Sequence, residues 1–258
     1  MKVAVCLKLV PATTADIRVA PEAQSLNLSG VEMVLSPYDE YALEAALKLR
    51  EQFKGSTILA LTVGGDDSVK CLQHAFSVGA DSGLHIKAAG ADARGAARSA
   101  AAALKTIAPD LVLCGRQAID DDLWLFPGAL AEFLDLPHLT AASSLSVAAD
   151  GKSAQCKRRF EDGEQTLEIV LPAVISCDKG LNEPRAPTLK GRLDAKKKPV
   201  EVKTPEALGI SAEQMAPALK VSGYSPPPQK TPGKILTGSP QEAAAELVRL
   251  LHQDAKII

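Results

Sequence analysis

An open, mostly parallel, doubly wound α/β sheet is the fold class that the sequence predicts, and three observations predict it. Short apolar runs at Val3 to Leu7, Thr57 to Val63 and Asp110 to Cys114 have the length and content of strands covered on both faces. Segments with helical apolar spacing lie between them, each opened or closed by a capping residue. Strand and helix signals alternate through the first half of the chain, the pattern of successive βαβ units.

The first strand is Val3 to Leu7, where Lys8 closes the apolar run after five residues, too few for a signal-peptide core. Ser36-Pro37-Tyr38-Asp39 predicts a helix start, with Ser36 as N-cap, Pro37 in the first helical position and Asp39 answering from the third as in a capping box. Ala42, Leu43, Ala46 and Leu47 form that helix's apolar stripe. Thr57 to Val63 is the second strand, and Gly64-Gly65-Asp66-Asp67 turns into a helix with Val69, Leu72 and Phe76 inward and Gly79 as C-cap. A short strand over Gly83 to Lys87 precedes an alanine-rich helix from Asp92 to Ala108, stopped by Pro109. The next strand, Asp110 to Cys114, ends at Gly115, and a helix is predicted from Pro127 to Leu134.

Beyond Thr140 the pattern changes. Asp150-Gly151 and Asp162-Gly163 are hairpin signals and Gln165 to Val170 alternates, so antiparallel strands should extend the sheet. Asp178 to Pro199 carries basic residues, prolines and glycines without periodicity and is predicted to be an exposed loop. The expected division is an α/β domain over 1–204 and a C-terminal arm over 205–258, with Pro226-Pro227-Pro228 and Pro232 ahead of an amphipathic helix from Gln241 to Leu251. Such an arm buries little by itself and suits a partner subunit.

Composition narrows the function. Among 258 residues, 46% are hydrophobic and 23% charged, which is globular, and a net charge of −2 supplies no field for a nucleic acid. No apolar stretch approaches the roughly 20 residues of a membrane span, so no membrane insertion is expected and the chain is predicted to be cytoplasmic. Cys6, Cys71, Cys114, Cys156 and Cys177 are odd in number and far apart, as free thiols in a reducing compartment would be, and the four histidines lack zinc-ligand spacing.

In open α/β sheets ligands bind where strand ends lead into helix N-termini. Here those places are Cys6 to Lys8, Ser36 to Asp39, Val63 to Asp66 and Gly115 to Phe126, which should converge. Neither G-x-G-x-x-G after a strand nor G-x-x-x-x-G-K-[ST] occurs, and Gly64-Gly65 can be a tight turn alone. Asp120, Asp121 and Asp122 could be a metal clamp, a helix-start charge cluster or a solvated loop.

The run Leu113 to Asp122, together with Ser-Pro-Tyr-Asp-Glu-Tyr-Ala-Leu-Glu-Ala-Ala-Leu at 36–47 and Leu-Pro-Ala-Val-Ile-Ser-Cys-Asp-Lys-Gly-Leu-Asn-Glu-Pro-Arg at 171–185, resembles the beta (small) subunit of electron-transfer flavoproteins. The match continues from Leu189 through Ala195-Lys196-Lys197-Lys198-Pro199 and is colinear over essentially the whole chain. The resemblance implies a non-enzymatic electron carrier, paired with an alpha subunit that holds the redox FAD. It implies loading from flavin dehydrogenases of the acyl-CoA type and unloading to a downstream oxidoreductase. It also implies a nucleotide site, for AMP or a second FAD, lined by Cys6, Ser36, Pro37, Tyr38, Asp39 and Val63 and by the loop Gly115, Arg116, Gln117, Ala118, Ile119, Asp120, Asp121, Asp122, Leu123, Trp124, Leu125 and Phe126. Tyr38 occupies the aromatic position beside the flavin ring. A recognition loop over 182–198 would dock the dehydrogenase through Leu189, rimmed by Lys190, Arg192, Lys196, Lys197 and Lys198.

Two departures qualify this. Leu123-Trp124-Leu125-Phe126-Pro127 stands where the family has small polar residues, so phosphate could be met by backbone N–H groups alone and AMP, retained or weakened, is in doubt. The loop also lacks the Asp-Gly-Asp-Thr pattern of members carrying a second redox FAD. Gln165 replaces a glutamate that pairs with an arginine of the alpha subunit, removing the charge term. The competing functions are a stand-alone nucleotide-binding or metal-dependent nucleotide-hydrolysing protein, the latter using Asp120 to Asp122, and a scaffold subunit that has lost its nucleotide.

Overall fold

A computed structural model describes residues 1–22, 25–219, 221, 223–228 and 232–258. The strands are β1 Lys2–Leu7, β2 Leu9–Pro11, β3 Arg18–Val19, β4 Leu26–Asn27, β5 Met33–Leu35, β6 Thr57–Gly64, β7 Ser82–Lys87, β8 Leu111–Gly115, β9 His138–Val147, β10 Ser153–Phe160, β11 Gly163–Val170, β12 Ala173–Cys177 and β13 Glu201–Lys203. The helices are α1 Pro37–Gln52, α2 Val69–Val78, α3 Ala93–Ile107, α4 Leu125–Leu134, α5 Leu189–Ala195, α6 Ala212–Met215 and α7 Pro240–Arg249.

Nine strands form one sheet in the order β11-β10-β9-β12-β8-β1-β6-β7-β13. Every pair from β9 to β13 is parallel, and β10 and β11 extend it antiparallel as the two Asp-Gly turns predict. Alternation along the strands sorts side chains to two cores. Val3, Val5 and Leu7 of β1, with Leu111 and Leu113 of β8, pack on α1 and α2, whereas Ala4, Cys6, Val112 and Cys114 pack on α3 and α4. Each fully buried aliphatic side chain in these layers contributes roughly 1.5–3 kcal/mol, so apolar side chains on both faces hold the sheet.

The chain winds one way from β1 through β6 to β7, then α3 carries it back to β8 on the other side of β1. That reversal between β1 and β8 leaves a crevice at the carboxyl ends of the central strands. Small residues make α3 a close-packed crossover: Ala97, Ala100, Ala101 and Ala103 are buried. Asp92 caps it by accepting from the Gly95 N–H at 2.7 Å.

Three expectations need correcting. Ser36 does stand at the N-cap of α1, but its side chain makes no capping bond, and its Oγ is buried without a partner among the described residues. Asp39 is drawn away from the helix end to other backbone groups, so no capping box forms. The fourth helix begins at Leu125 and not Pro127, because Trp124 turns into the left-handed region at φ 54° and starts it earlier. Pro127 then occupies the third helical position, where no intrahelical N–H bond is lost.

The segment predicted to be an exposed loop over 178–199 contains α5, capped by Thr188 accepting from the Gly191 N–H at 3.0 Å. Seven residues preceded by Pro187 are too few to show periodicity. Further along, the stretch assigned to an arm at 205 lies against α3 as far as Ala218, whose N–H donates to Asp92 at 2.9 Å. Ile210 is buried and Ser99 Oγ lies 3.2 Å from Met215 Sδ. α7 buries no residue among those described.

One ion pair mounts the 182–188 segment on α1. Arg185 donates from Nε and one terminal nitrogen to the two oxygens of Glu44, each at 2.8 Å, and reaches Glu51 with the other at 2.8 Å. Glu44 has a side chain 4% exposed against 37% for Arg185. Arg185→Ala is expected to leave a buried carboxylate unpaired and cost about 2 kcal/mol, below the 3–5 of a fully buried pair. The midpoint of denaturant unfolding measures this, and Arg185→Lys should recover part of it.

Candidate functional site

The crevice at the winding reversal is a cleft of about 250 Å³. Cys6, Lys8, Asp39, Val63 and the stretch from Gly115 to Pro127 contribute to its walls, so the four strand ends singled out in the sequence do meet. Gln117, Ala118, Asp121, Leu123, Trp124, Leu125 and Phe126 line it directly. Ser36, Pro37, Tyr38, Arg116, Ile119, Asp120 and Asp122 do not. Ala91, Asp92, Ala93 and Ala96 do, and were missed. The strand-end rule applied to β7, whose chain runs straight to the Asp92 cap, would have found them.

Asp39 is the structural centre. Its Oδ2 accepts from the Lys8 N–H at 2.7 Å and its Oδ1 from the Gly115 N–H at 2.8 Å, joining the ends of β1 and β8 to the first turn of α1. Gly115 is obligatory: a Cβ there would lie 2.6 Å from Asp39 Oδ1 and 2.7 Å from Tyr38 Cβ. Burial pushes the Asp39 carboxyl up to about 7 against the pull of the two backbone donors.

Lys8 reaches over the cleft to Asp120 at 2.7 Å and Asp121 at 2.9 Å. Burial alone would lower its ammonium, but the bonds to the two carboxylates outweigh that and hold it above the ordinary value. Asp122 accepts from Gln117 Nε2. The acidic run is therefore tied to the chain's own donors, and among the described residues no three His, Cys, Asp or Glu side chains gather as a metal site. Burial, first among the causes, also raises the thiol of Cys6 well above its usual range, so the sulfur in the cleft wall is a neutral packing group.

Beside the cleft, Arg116 is stacked between two rings, its guanidinium carbon 4.7 Å from the Tyr38 centroid and 4.5 Å from that of Trp124. It also donates to Tyr38 Oη at 2.9 Å and to Asp178 at 3.0 Å. The Asp178 partner, which arrives from the end of β12, is 62 residues away in the chain and has no local signal. Trp124, at φ 54°, is held in a strained backbone by this stack.

The residues expected to dock a partner lie elsewhere, on α5, which packs on α2 across the sheet from α3 and α4. Leu189 is 78% exposed and Leu193, one turn on, 55%. Lys190, Arg192, Lys196 and Lys197 are exposed around them. Lys198 does not belong to that rim: its Nζ donates to the Ala80 carbonyl at 2.5 Å and lies 5.3 Å from the Phe76 ring centroid, which pulls it inward. On the antiparallel extension, Gln165 Oε1 accepts from Arg158 Nε at 3.1 Å and a terminal nitrogen at 3.0 Å.

A model of the electron transfer flavoprotein domain matches residues 25–208. The electron transfer flavoprotein subunit beta of Bacillus subtilis is 36% identical over 245 residues, spanning 93% of this chain and 94% of that one. The chain belongs to the electron transfer flavoprotein beta-subunit family. The human beta subunit is 34% identical over 262 residues, covering 100% of this chain and 99% of its own. A 32% identical relative from Acetobacterium woodii, covering 98% of both chains, is named caffeyl-CoA reductase-Etf complex subunit CarD. Membership makes this an electron-transfer protein, a carrier component that works with an alpha subunit and a flavin in the complex. The sheet is the fold that the resemblance implied, and no described helix is long and apolar enough to cross a membrane.

Asp39→Asn keeps one acceptor and turns the other into a donor facing an N–H. It is expected to cost about 1–3 kcal/mol. Because the folded carboxyl stands at about 7, above its unfolded 3.8, the native protein binds the extra proton and Asp39 contributes most below about pH 4, losing this as pH rises through 7. The stability difference between wild type and Asp39→Asn should therefore be largest near pH 4 and shrink toward pH 8 in paired urea titrations.

Proposed function

We propose that this chain shapes the flavin environment and docks the electron donor, while the alpha subunit holds the FAD. The donor is a flavin dehydrogenase of the acyl-CoA type, and the reduced complex unloads to a downstream oxidoreductase. No residue of the chain performs acid–base chemistry in this role, and cytoplasmic residence goes with it.

The observation that carries the proposal is the mounting of Leu189. Leu189, 78% exposed in the first position of its helix, stands with Leu193, 55% exposed, as an apolar pair one turn apart on a fixed mount. Its helix is fixed at three points. Thr188 caps it, Gly191 lets it approach so closely that a Cβ would collide with the Ser77 carbonyl, and Ala195 is buried in the core. The Arg185–Glu44 pair fixes the chain just before it. A rigid apolar knob inside a basic rim has the form of an interface hot spot.

Tyr38, on the Arg116 stack, would pack against the isoalloxazine edge. The arm supplies the grip on the alpha subunit: Ile235, Leu247, Val248 and Ile257 are exposed beyond the last residue that packs on α3. Gln165, already held by Arg158, would meet that subunit without charge. An adenine monophosphate seated by backbone N–H groups of the 123–127 loop is the sequence expectation, and the charges around Lys8 weigh against it.

Leu189→Ala in the alpha–beta complex is expected to lower the second-order rate of flavin reduction by a reduced acyl-CoA dehydrogenase about 30-fold, the equivalent of a hot spot of roughly 2 kcal/mol. FAD content should be unchanged. Stopped-flow reduction beside a flavin absorbance count measures both, and an unchanged rate refutes the docking role.

A further inference from the structure

Another cavity, of about 190 Å³, lies at the foot of α5. Its apolar walls are Leu43 and Leu47 from α1, Val78 from α2, and Pro184 and Pro187 from the segment that leads into α5. Pro187 directly precedes the Thr188 cap, and Val78 follows Ser77, whose carbonyl Gly191 approaches so closely. The helix that presents Leu189 and this cavity therefore share one mount.

The charges in the cavity do not balance. Arg185 is the one guanidinium or ammonium lining it among the described residues, and it is already shared between Glu44 and Glu51. Glu40 adds a third carboxylate. Among the described residues no donor reaches that carboxylate, and burial alone moves it, upward from its ordinary value. His74, also in the wall, supplies no compensating charge, because burial first and then Arg192 hold its imidazole below the usual range. A half-buried carboxylate without a partner is costly, and the apolar surface beside it suits the methylene stem of a long cationic side chain.

We propose that this cavity takes a lysine or arginine side chain of the electron-donor protein, with its stem along Leu43, Leu47 and Pro187 and its cation on Glu40. The proposal rests on the docking role of Leu189 and deepens it with a charge opposite in sign to the rim. Lys190, Arg192, Lys196 and Lys197 favour carboxylates on the partner, whereas Glu40 favours a cation. A surface that carries both, correctly spaced around a pocket for Leu189, seats in one register. A uniformly acidic surface would be attracted by the rim and repelled at the cavity.

Stopped-flow reduction of the alpha–beta complex by a reduced acyl-CoA dehydrogenase, over a series of donor concentrations and ionic strengths, tests this. Glu40→Gln is expected to raise the half-saturating donor concentration about tenfold, between the effects of an exposed and a buried pair, with the limiting rate and FAD content unchanged. Glu40→Lys should raise it further by adding repulsion, and salt should shrink both defects. Half-saturation unchanged in Glu40→Gln, a loss confined to its limiting rate, or a Glu40→Lys complex no weaker than Glu40→Gln would each overturn the proposal. Leu189→Ala, run beside them, keeps the two failures apart: if it slows reduction while Glu40→Gln does not, the cavity is empty of the partner and the docking role stands. If Leu189→Ala has no effect, the docking role itself falls and this proposal with it.

Discussion

The carboxylate of Asp39 sits where β1 ends, where β8 ends and where α1 begins, and it accepts a backbone N–H from each strand end. Parallel strands leave their terminal amides pointing into a shared crevice with no ladder partner, and these must be satisfied or hydrated. Using one buried side chain for two of them fixes the separation of β1 and β8 at the winding reversal. Everything forward of that point inherits the spacing: the reach of Lys8 to the acidic run, the turn after Gly115, and the placement of Arg116 between its two rings.

Around this staple the loop from Gly115 to Phe126 has few degrees of freedom left. Its acidic residues are pinned by Lys8 and Gln117, and its aromatic end is pinned by Arg116, which Asp178 holds in turn. Left-handed backbone at Asp122 and Trp124 is the strain that this arrangement sustains. The loop is thus a stiff wall, and its chemistry is set by the side chains it faces inward.

Much of this could be read in the amino acids and some could not. Buried parallel strands announce themselves as unbroken apolar runs, so β1, β6 and β8 were legible, as were the hairpins at two Asp-Gly turns. β12 was hidden because Ala173 to Cys177 follows directly on the hairpin and looks like its continuation, although it lies between β9 and β8. Ser36 and Asp39 have the spacing of a capping box, yet local spacing cannot show that two distant strand ends compete for the same carboxylate. Lys198 has the composition of a surface charge, and an aromatic face and a free carbonyl from the β6–β7 crossover turned it inward. In each case the deciding partner was remote in sequence.

In the docking role proposed for it, the anchoring of α5 bears on how long two proteins stay together. Its ordering has been settled within the fold by Thr188, Gly191 and Ala195, so an encounter need not freeze a floppy segment. The apolar footprint it presents is small, one leucine with a second a turn away. Small, preformed contacts form readily and separate readily. For a carrier that loads at one protein and discharges at another, as proposed, brevity of residence is worth more than grip, and a stiff, narrow knob would provide it.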